Sequence, residues 1–177
     1  MSKYFISLAA MTALAIGAHA AEPKDVKVPH KVNNVTLVDL DGKSTTLPMW
    51  GEKNLLIFYV DPDKHKQNED FTVELENNHR ASGDNIYGFG IVNIKDSWYP
   101  VSDDFIRKMA RKRTEKNGAT VITDPDHTIA DQWQLGDCNN QFVLMIVSKE
   151  GELVFVRKGE LTAADKAEFY KVVEKYK

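Results

Sequence analysis

The stretch NLLIFYVDPDKHKQNEDF, residues 54–71, decides the fold. It begins with an almost wholly apolar run, as in a central strand that is covered by helices on both sides. Asp61 and Pro62 then form a helix start, an N-cap residue followed by proline at the first helical position. Phe71 and Leu75 recur at helical spacing. The stretch therefore predicts a buried strand, a polar turn and a helix.

Alternating strand and helix patterns surround this stretch. Upstream, the alternation over 35–40 followed by Asp41 and Gly42 predicts a β-hairpin. Downstream, residues 85–94 predict a strand, and Ser102 caps a helix. The remaining segments, in order, are a strand (ATVIT), a short helix (DPDHTIADQWQL), a hairpin (QFVLMIV and ELVFVRKG) and a final helix. This order predicts one α/β domain, with parallel strands first and an antiparallel hairpin at the end. The two DPD triplets are interpreted as two helix caps.

The helix that follows the second strand is amphipathic. Phe105, Ile106, Met109 and Ala110 form its apolar stripe. Its basic cluster RKMARKR, residues 107–113, is interpreted as a solvated face. The chain as a whole has a net charge of −3, and no basic stripe stands out, so nucleic acid is not an expected partner.

The N-terminus predicts export. Residues 1–20 contain one cation, Lys3, an apolar run over 4–17 and the small-x-small motif AHA. This pattern predicts a secretory signal peptide cleaved after Ala20, with an uncut anchor as the alternative. The run is too short to span a membrane. Residues 21–177 are then expected to form a single domain without a membrane span.

Cys138 is the only cysteine of the chain, so an exported protein of this sequence forms no internal disulfide. It lies in LGDCNNQF, the loop before the last hairpin, next to Asp137. A nearby carboxylate raises the pKa of a thiol and suppresses the thiolate. Two interpretations stay open: a structural or incidental thiol, and a redox sensor or intermolecular disulfide.

Three segments resemble the thioredoxin fold in the version used by secreted thiol reductases and peroxiredoxins. They are VTLVDLDGKSTTLPMWGEKNLLIFYV, TDPDHTIADQWQL and FVLMIVSKEGELVFVRKGEL. The resemblance implies a thioredoxin-like three-layer sandwich with a mixed central sheet, an N-terminal β-hairpin and a C-terminal β-hairpin plus helix. IVNIKDSWYPVSDDFIRK, ADQWQL and VSKEGELVFVRKGELT are similar to the YtfJ family of small bacterial periplasmic proteins, which implies a periplasmic location and no particular activity.

The residues that carry thioredoxin chemistry are missing. Aligned without gaps on the pattern FWxxWCxxC, Phe58 and Tyr59 fall on the aromatic pair, and Asp63 and Lys66 fall on the cysteines. Disulfide exchange needs an attacking thiolate and a second sulfur, and a peroxiredoxin also needs a cysteine at this turn. The cis-proline of the fold is absent too, because no proline follows Pro125. The resemblance therefore implies a protein without dithiol redox activity.

The polar turn is a candidate binding site. Asp61, Asp63, Lys64, His65 and Lys66 match neither a calcium loop nor a zinc site, so we expect no metal. Cations near a helix N-terminus, together with free backbone N–H groups, could hold an anion or a peptide carboxylate. The alternative is a solvated turn of mixed charge.

Two aromatic residues follow a strand end in DSWYP. Trp98 and Tyr99 are interpreted either as a contact patch or as rings that fold back on the core. Trp133, in DQWQL, is expected to lie in the core.

These observations favour a binding or accessory module over an enzyme. No Ser-His-Asp order, phosphate-binding glycine loop or paired carboxylates indicate catalysis, and no cofactor is expected. The predicted face comprises the turn 61–66, the loop 96–100 and the loop 136–141, and its ligand would be a periplasmic partner protein, a peptide or a small anion. The alternatives are a single-cysteine thiol redox protein acting through Cys138 and a structural protein with no small ligand.

Overall fold

A computed structural model describes residues 26–98, 100–115 and 118–177. Within these ranges, eight strands form one mixed sheet in the order β1-β8-β7-β4-β5-β6-β2-β3. The strands are β1 (His30–Lys31), β2 (Thr36–Val38), β3 (Ser44–Thr46), β4 (Asn54–Val60), β5 (Ile86–Asn93), β6 (Val121–Asp124), β7 (Phe142–Val147) and β8 (Glu152–Lys158). The helices are α1 (Glu69–Asn78), α2 (Asp103–Thr114), α3 (Thr128–Gln132) and α4 (Ala163–Tyr176), with 3-10 turns at Pro62–Lys64 and Ile94–Asp96.

The predicted central strand is confirmed as β4, which lies between the parallel strand β5 and the antiparallel strand β7. Alternate side chains of a strand leave opposite faces of the sheet. Ile57 and Tyr59 therefore enter one core with Trp133, whereas Leu56 enters a second core with Phe71. All five side chains are buried. The nearly continuous apolar run of β4 is thus used on both faces.

The three layers follow from these two cores. The first core is closed by the N-terminal segment and α3, and the second by α1 and α4. The predicted hairpins are both present, as β2-β3 and β7-β8. The last helix begins at the predicted cap, where Thr162 and Asp165 exchange hydrogen bonds between side chain and backbone. The predicted three-layer α/β architecture is confirmed.

The start of α1 differs from the prediction. Asp61 does cap a turn at Pro62, but that turn is a short 3-10 segment, and α1 begins only at Glu69. Asn68, in between, is left-handed with φ 61°. Its Nδ2 donates to the Gly159 carbonyl at 2.9 Å and its Oδ1 accepts from the Leu161 N–H at 2.9 Å. These contacts with the β8-α4 connection interrupt the helix, and local sequence does not reveal them.

No helix in the described ranges has the length and apolar character needed to cross a bilayer. The predicted signal peptide, residues 1–20, lies outside the described residues and stays a prediction.

Candidate functional site

Three loops meet at one end of the sheet: the turn after β4, the loop after β5 and the loop before β7. The Asp61 carboxylate accepts a hydrogen bond from the Asn140 backbone N–H at 2.7 Å. The Asp63 carboxylate accepts one from the Trp98 backbone N–H at 2.9 Å. Two carboxylates of one turn therefore hold the other two loops beside it.

Asp61 is fully buried. One carboxylate oxygen accepts from the Asp63 N–H at 2.8 Å, as the N-cap of the 3-10 turn. Burial raises the pKa of the Asp61 carboxyl, the backbone N–H groups of Asp63 and Asn140 lower it, and the charges of Asp63 and Asp96 add to the rise. Asp61 positions the loops and does not present its carboxylate to solvent.

The Asp63→Ala variant is expected to loosen the loop that carries Trp98, because it removes the acceptor of the Trp98 N–H. Loss of one such hydrogen bond costs about 1 kcal/mol of unfolding free energy, and the Trp98 amide should exchange its hydrogen faster. Hydrogen exchange followed by NMR measures both effects. Asp63→Asn, which keeps an oxygen acceptor, is the matched control. Unchanged exchange in Asp63→Ala would contradict this role.

The basic candidate residues lie on the surface of the turn after β4. Lys64, His65 and Lys66 are exposed, and His65 Nδ1 lies 2.9 Å from the Pro62 carbonyl oxygen. They are therefore open to a ligand that approaches this end of the sheet, next to the loop that Asp63 holds.

The aromatic residues Trp98 and Trp133 differ in their exposure to solvent. Trp98 is 72% exposed and does not fold back on the core, whereas Tyr99 lies outside the described residues. Trp133 is fully buried, as predicted, and its Nε1–H donates to the Asn33 carbonyl at 3.0 Å. Trp98 is thus the aromatic side chain that the described part of the loop presents to solvent.

Cys138 is 3% exposed, and its Sγ–H donates to the Gly136 carbonyl at 3.5 Å. Burial raises the pKa of the Cys138 thiol to about 12. The Lys158 ammonium opposes this rise and the Asp96 carboxylate adds to it. The sequence did not indicate Lys158 as the cation near this thiol, because β8 brings it there from twenty residues away. Both burial and pKa disfavour the thiolate.

A buried polar cluster lies beneath the three loops. Asp124 is fully buried, and its carboxylate accepts from the backbone N–H groups of Thr128 at 2.8 Å and Ile129 at 2.9 Å. The Tyr59 hydroxyl donates to it at 3.3 Å. Burial, followed by the Asp124 charge, raises the pKa of Tyr59, which keeps the phenol neutral. The second DPD triplet predicted a helix start at Asp124 and Pro125, but α3 begins only at Thr128, after His127. The Asp124 carboxylate does accept from the first N–H groups of that helix, and Tyr59 as its partner was missed.

Asp96 joins this end of the sheet to α3. Its Oδ1 lies 2.6 Å from Nε2 of His127, and its Oδ2 accepts from Nδ2 of the buried Asn93. The sequence placed Asp96 only within a loop, because His127 is distant in the chain and Asn93 comes close only through the 3-10 turn Ile94–Asp96. The described residues contain no group of three or more His, Cys, Asp or Glu side chains placed to hold a metal ion.

An apolar groove with a volume of about 660 Å³ opens between α2 and the sheet, next to the three loops. Phe105 and Met109, from the predicted apolar stripe, are 51% and 50% exposed. The stripe was predicted, but its incomplete burial was missed. A sign of this incomplete burial was present in β5, because Gly88 and Gly90 lie two residues apart and therefore on the same face of the strand.

Comparison with known proteins supplies the fold. No protein-family model matches the chain, and no curated protein sequence matches it. A DsbF homologue from Corynebacterium diphtheriae is similar in structure, with a TM-score of 0.59 at 18% identity over 82% of this chain and 87% of that one. A peroxiredoxin-like protein from Aquifex aeolicus gives 0.56 at 14% identity, covering 83% and 87%.

The exposed lipoprotein thioredoxin of Streptococcus pneumoniae gives a TM-score of 0.53 at 14% identity, over 79% of this chain and 99% of that one. Similarity at these identities concerns architecture alone. Together with the strand order and the three layers, it shows that the chain has a thioredoxin-like α/β fold.

Proposed function

We propose that the protein is a periplasmic binding or accessory module, built on a thioredoxin-like fold and lacking dithiol chemistry. Its binding face would comprise the turn 61–66, the loop 96–100 and the loop 136–141. The ligand would be a peptide, a partner protein or a small anion.

One observation carries this proposal. Asp63, which aligns with the first cysteine of the thioredoxin pattern, uses its carboxylate to hold the backbone of Trp98. The Trp98 ring is left 72% exposed, and Lys64 and Lys66, which follow Asp63 in the same turn, are exposed as well. An exposed aromatic ring next to cations is typical of a contact surface. The turn thus retains its position in the fold but offers groups suited to binding.

The buried thiol supports the same proposal against its redox alternative. A reactive cysteine is partly exposed and has a lowered pKa, whereas Cys138 is buried and has a raised one. Export and membership of the YtfJ family belong to the proposal as well. They rest on the N-terminal pattern with cleavage after Ala20 and on the three quoted motifs.

Photo-crosslinking in the periplasm tests the face. With p-benzoylphenylalanine in place of Trp98, we expect one discrete covalent adduct. The same probe in place of Val73, which is 46% exposed on α1, is the matched control and should give none. Combining Lys64→Ala with Lys66→Ala should reduce the adduct several-fold without changing the unfolding temperature, since both side chains are exposed.

Two outcomes of the crosslinking would contradict the proposed face. One is the same adduct from both probe positions, which would indicate random encounter. The other is an adduct from position 98 that the double lysine variant leaves at full yield.

A further inference from the structure

At Gly90, the floor of the groove beside α2 lacks a side chain, whereas Phe58, Val60 and Val121 contribute theirs. Gly88 and Gly90 of β5 pair with Leu56 and Phe58 of β4 and so lie on the same face of the sheet. A Cβ atom at Gly90 would lie 3.2 Å from Cγ2 of Val121, so a larger residue would need its neighbour to move. The missing side chain at Gly90 leaves space beneath the apolar stripe of α2, in which Phe105 and Met109 stay half exposed.

The helix α2 is capped at its N-terminus and anchored to the β2-β3 hairpin near its C-terminus. At its N-terminus, the Ser102 hydroxyl accepts a hydrogen bond from the Phe105 N–H at 3.3 Å. Near its C-terminus, Arg111 donates to the Leu40 carbonyl at 2.7 Å and forms an ion pair with Asp41. The middle of the helix lines the apolar groove, with Phe105 and Met109 half exposed.

The groove combines an apolar wall with one cation. Its lining contains no Asp or Glu, although the chain carries a net charge of −3. The lining includes Phe58, Phe105, Met109, Ala110 and Arg113. The contacts of the described residues include no ion pair for Arg113, whereas Arg107 pairs with Asp104 and Arg111 with Asp41. Arg113 is thus the charged group of the lining that is available to a ligand.

We infer that this groove binds an amphipathic monoanion, a carboxylate with an unbranched apolar tail. From Phe105 to Arg113 the helix rises about 12 Å, so a tail lying along α2 brings its carboxylate to the guanidinium. Pockets of this volume are typical of small-molecule sites, and Arg pairs well with carboxylates. The inference rests on the proposed binding function and names a ligand class for it.

The test titrates the purified protein with three probes: dodecanoate, dodecyltrimethylammonium and inorganic phosphate. Calorimetry measures affinity, and ¹³C-methyl spectra of methionine locate the site. We expect dodecanoate to bind saturably and to shift the Met109 methyl signal. The Met145 methyl, buried in the first core, is the internal control and should not shift. Dodecyltrimethylammonium should bind at least tenfold more weakly, and phosphate should not shift the Met109 methyl signal.

Three substitutions on α2 separate the effect of charge from the effect of shape. Arg113→Glu should weaken dodecanoate binding roughly tenfold, because it replaces an attraction by a repulsion. Lys112→Glu makes the same charge change at an exposed neighbour outside the lining, and it should leave the affinity within twofold. Ala110→Phe should abolish binding by filling the groove.

Equal affinity for the two amphiphiles, or equal effects of Arg113→Glu and Lys112→Glu, would overturn the inference. So would a dodecanoate site that leaves the Met109 methyl unmoved. If dodecanoate fails to bind while Ala110→Phe removes the adduct formed from position 98, the groove docks a protein and the inference is wrong. In that case the proposed binding function would stand. If instead only the crosslinking fails, with the same adduct from positions 98 and 73, the proposed face alone is refuted.

Discussion

Replacing Asp124 with alanine is expected to lower the free energy of unfolding by about 3 kcal/mol. The carboxylate is fully buried and accepts the N–H groups of Thr128 and Ile129 and the Tyr59 hydroxyl. Its removal leaves these three donors without their acceptor in a buried or partly buried site. A helix of five residues such as α3 has no stability of its own, so Trp133, which follows it, should also lose its fixed position.

Urea unfolding followed by tryptophan fluorescence measures this effect, because Trp133 is buried and its ring lies 6.2 Å from that of Trp50. Asp126→Ala is the matched control. Asp126 belongs to the same DPD triplet but is exposed, and its replacement should change the free energy of unfolding by less than about 0.5 kcal/mol. Similar losses in the two variants would show that Asp124 does not organise this end of the sheet.

Alkylation of Cys138 by iodoacetamide at pH 8 is expected to be at least about a thousandfold slower than that of a free thiol. The reagent attacks the thiolate, and a free thiol has a pKa of about 8.5, whereas the folded thiol has a pKa of about 12. The rate should therefore rise about tenfold per pH unit through pH 10 without reaching a plateau. Burial of the sulfur, at 3% exposure, slows the reaction further.

The same protein unfolded in urea is the control and should react at the rate of a free thiol. A plateau near or below pH 8.5 in the folded protein would contradict the raised pKa and would favour the redox alternative. Reductase and peroxidase assays add a second criterion. Any activity should be the same in wild type and Cys138→Ser, since burial and the raised pKa disfavour the thiolate.

The raised pKa also has a consequence for stability. Above the ordinary thiol pKa, the unfolded chain releases a proton that folded Cys138 keeps. The contribution of this thiol to stability is therefore fully present below that pKa and is lost progressively as the pH rises toward about 12.

Much of the fold was predictable because it depends on local patterns. The central strand β4, the hairpins and the caps at Ser102 and Thr162 were all identified from neighbouring residues and are confirmed. The start of α1 was placed too early, since the contacts of Asn68 with Gly159 and Leu161 join segments about ninety residues apart.

The candidate site was less predictable. Sequence analysis located the turn and the two loops, but it could not show that Asp61 and Asp63 use their carboxylates to hold those loops. It left the exposure of Trp98 and the burial of Cys138 open. It named the apolar stripe of α2 without the groove, because the groove also needs Gly90 from another strand to lie beneath that stripe.

The amino-acid sequence alone therefore determined the order of strands and helices, the apolar face of each and the absence of both cysteines from the turn. Hydrophobic period, caps and composition are properties of neighbouring residues. Only the tertiary structure decided the state of Cys138, the partners of Asp124 and the space under α2. The pKa of a thiol, the pairing of a buried carboxylate and the volume of a groove depend on groups that folding brings together from distant parts of the chain.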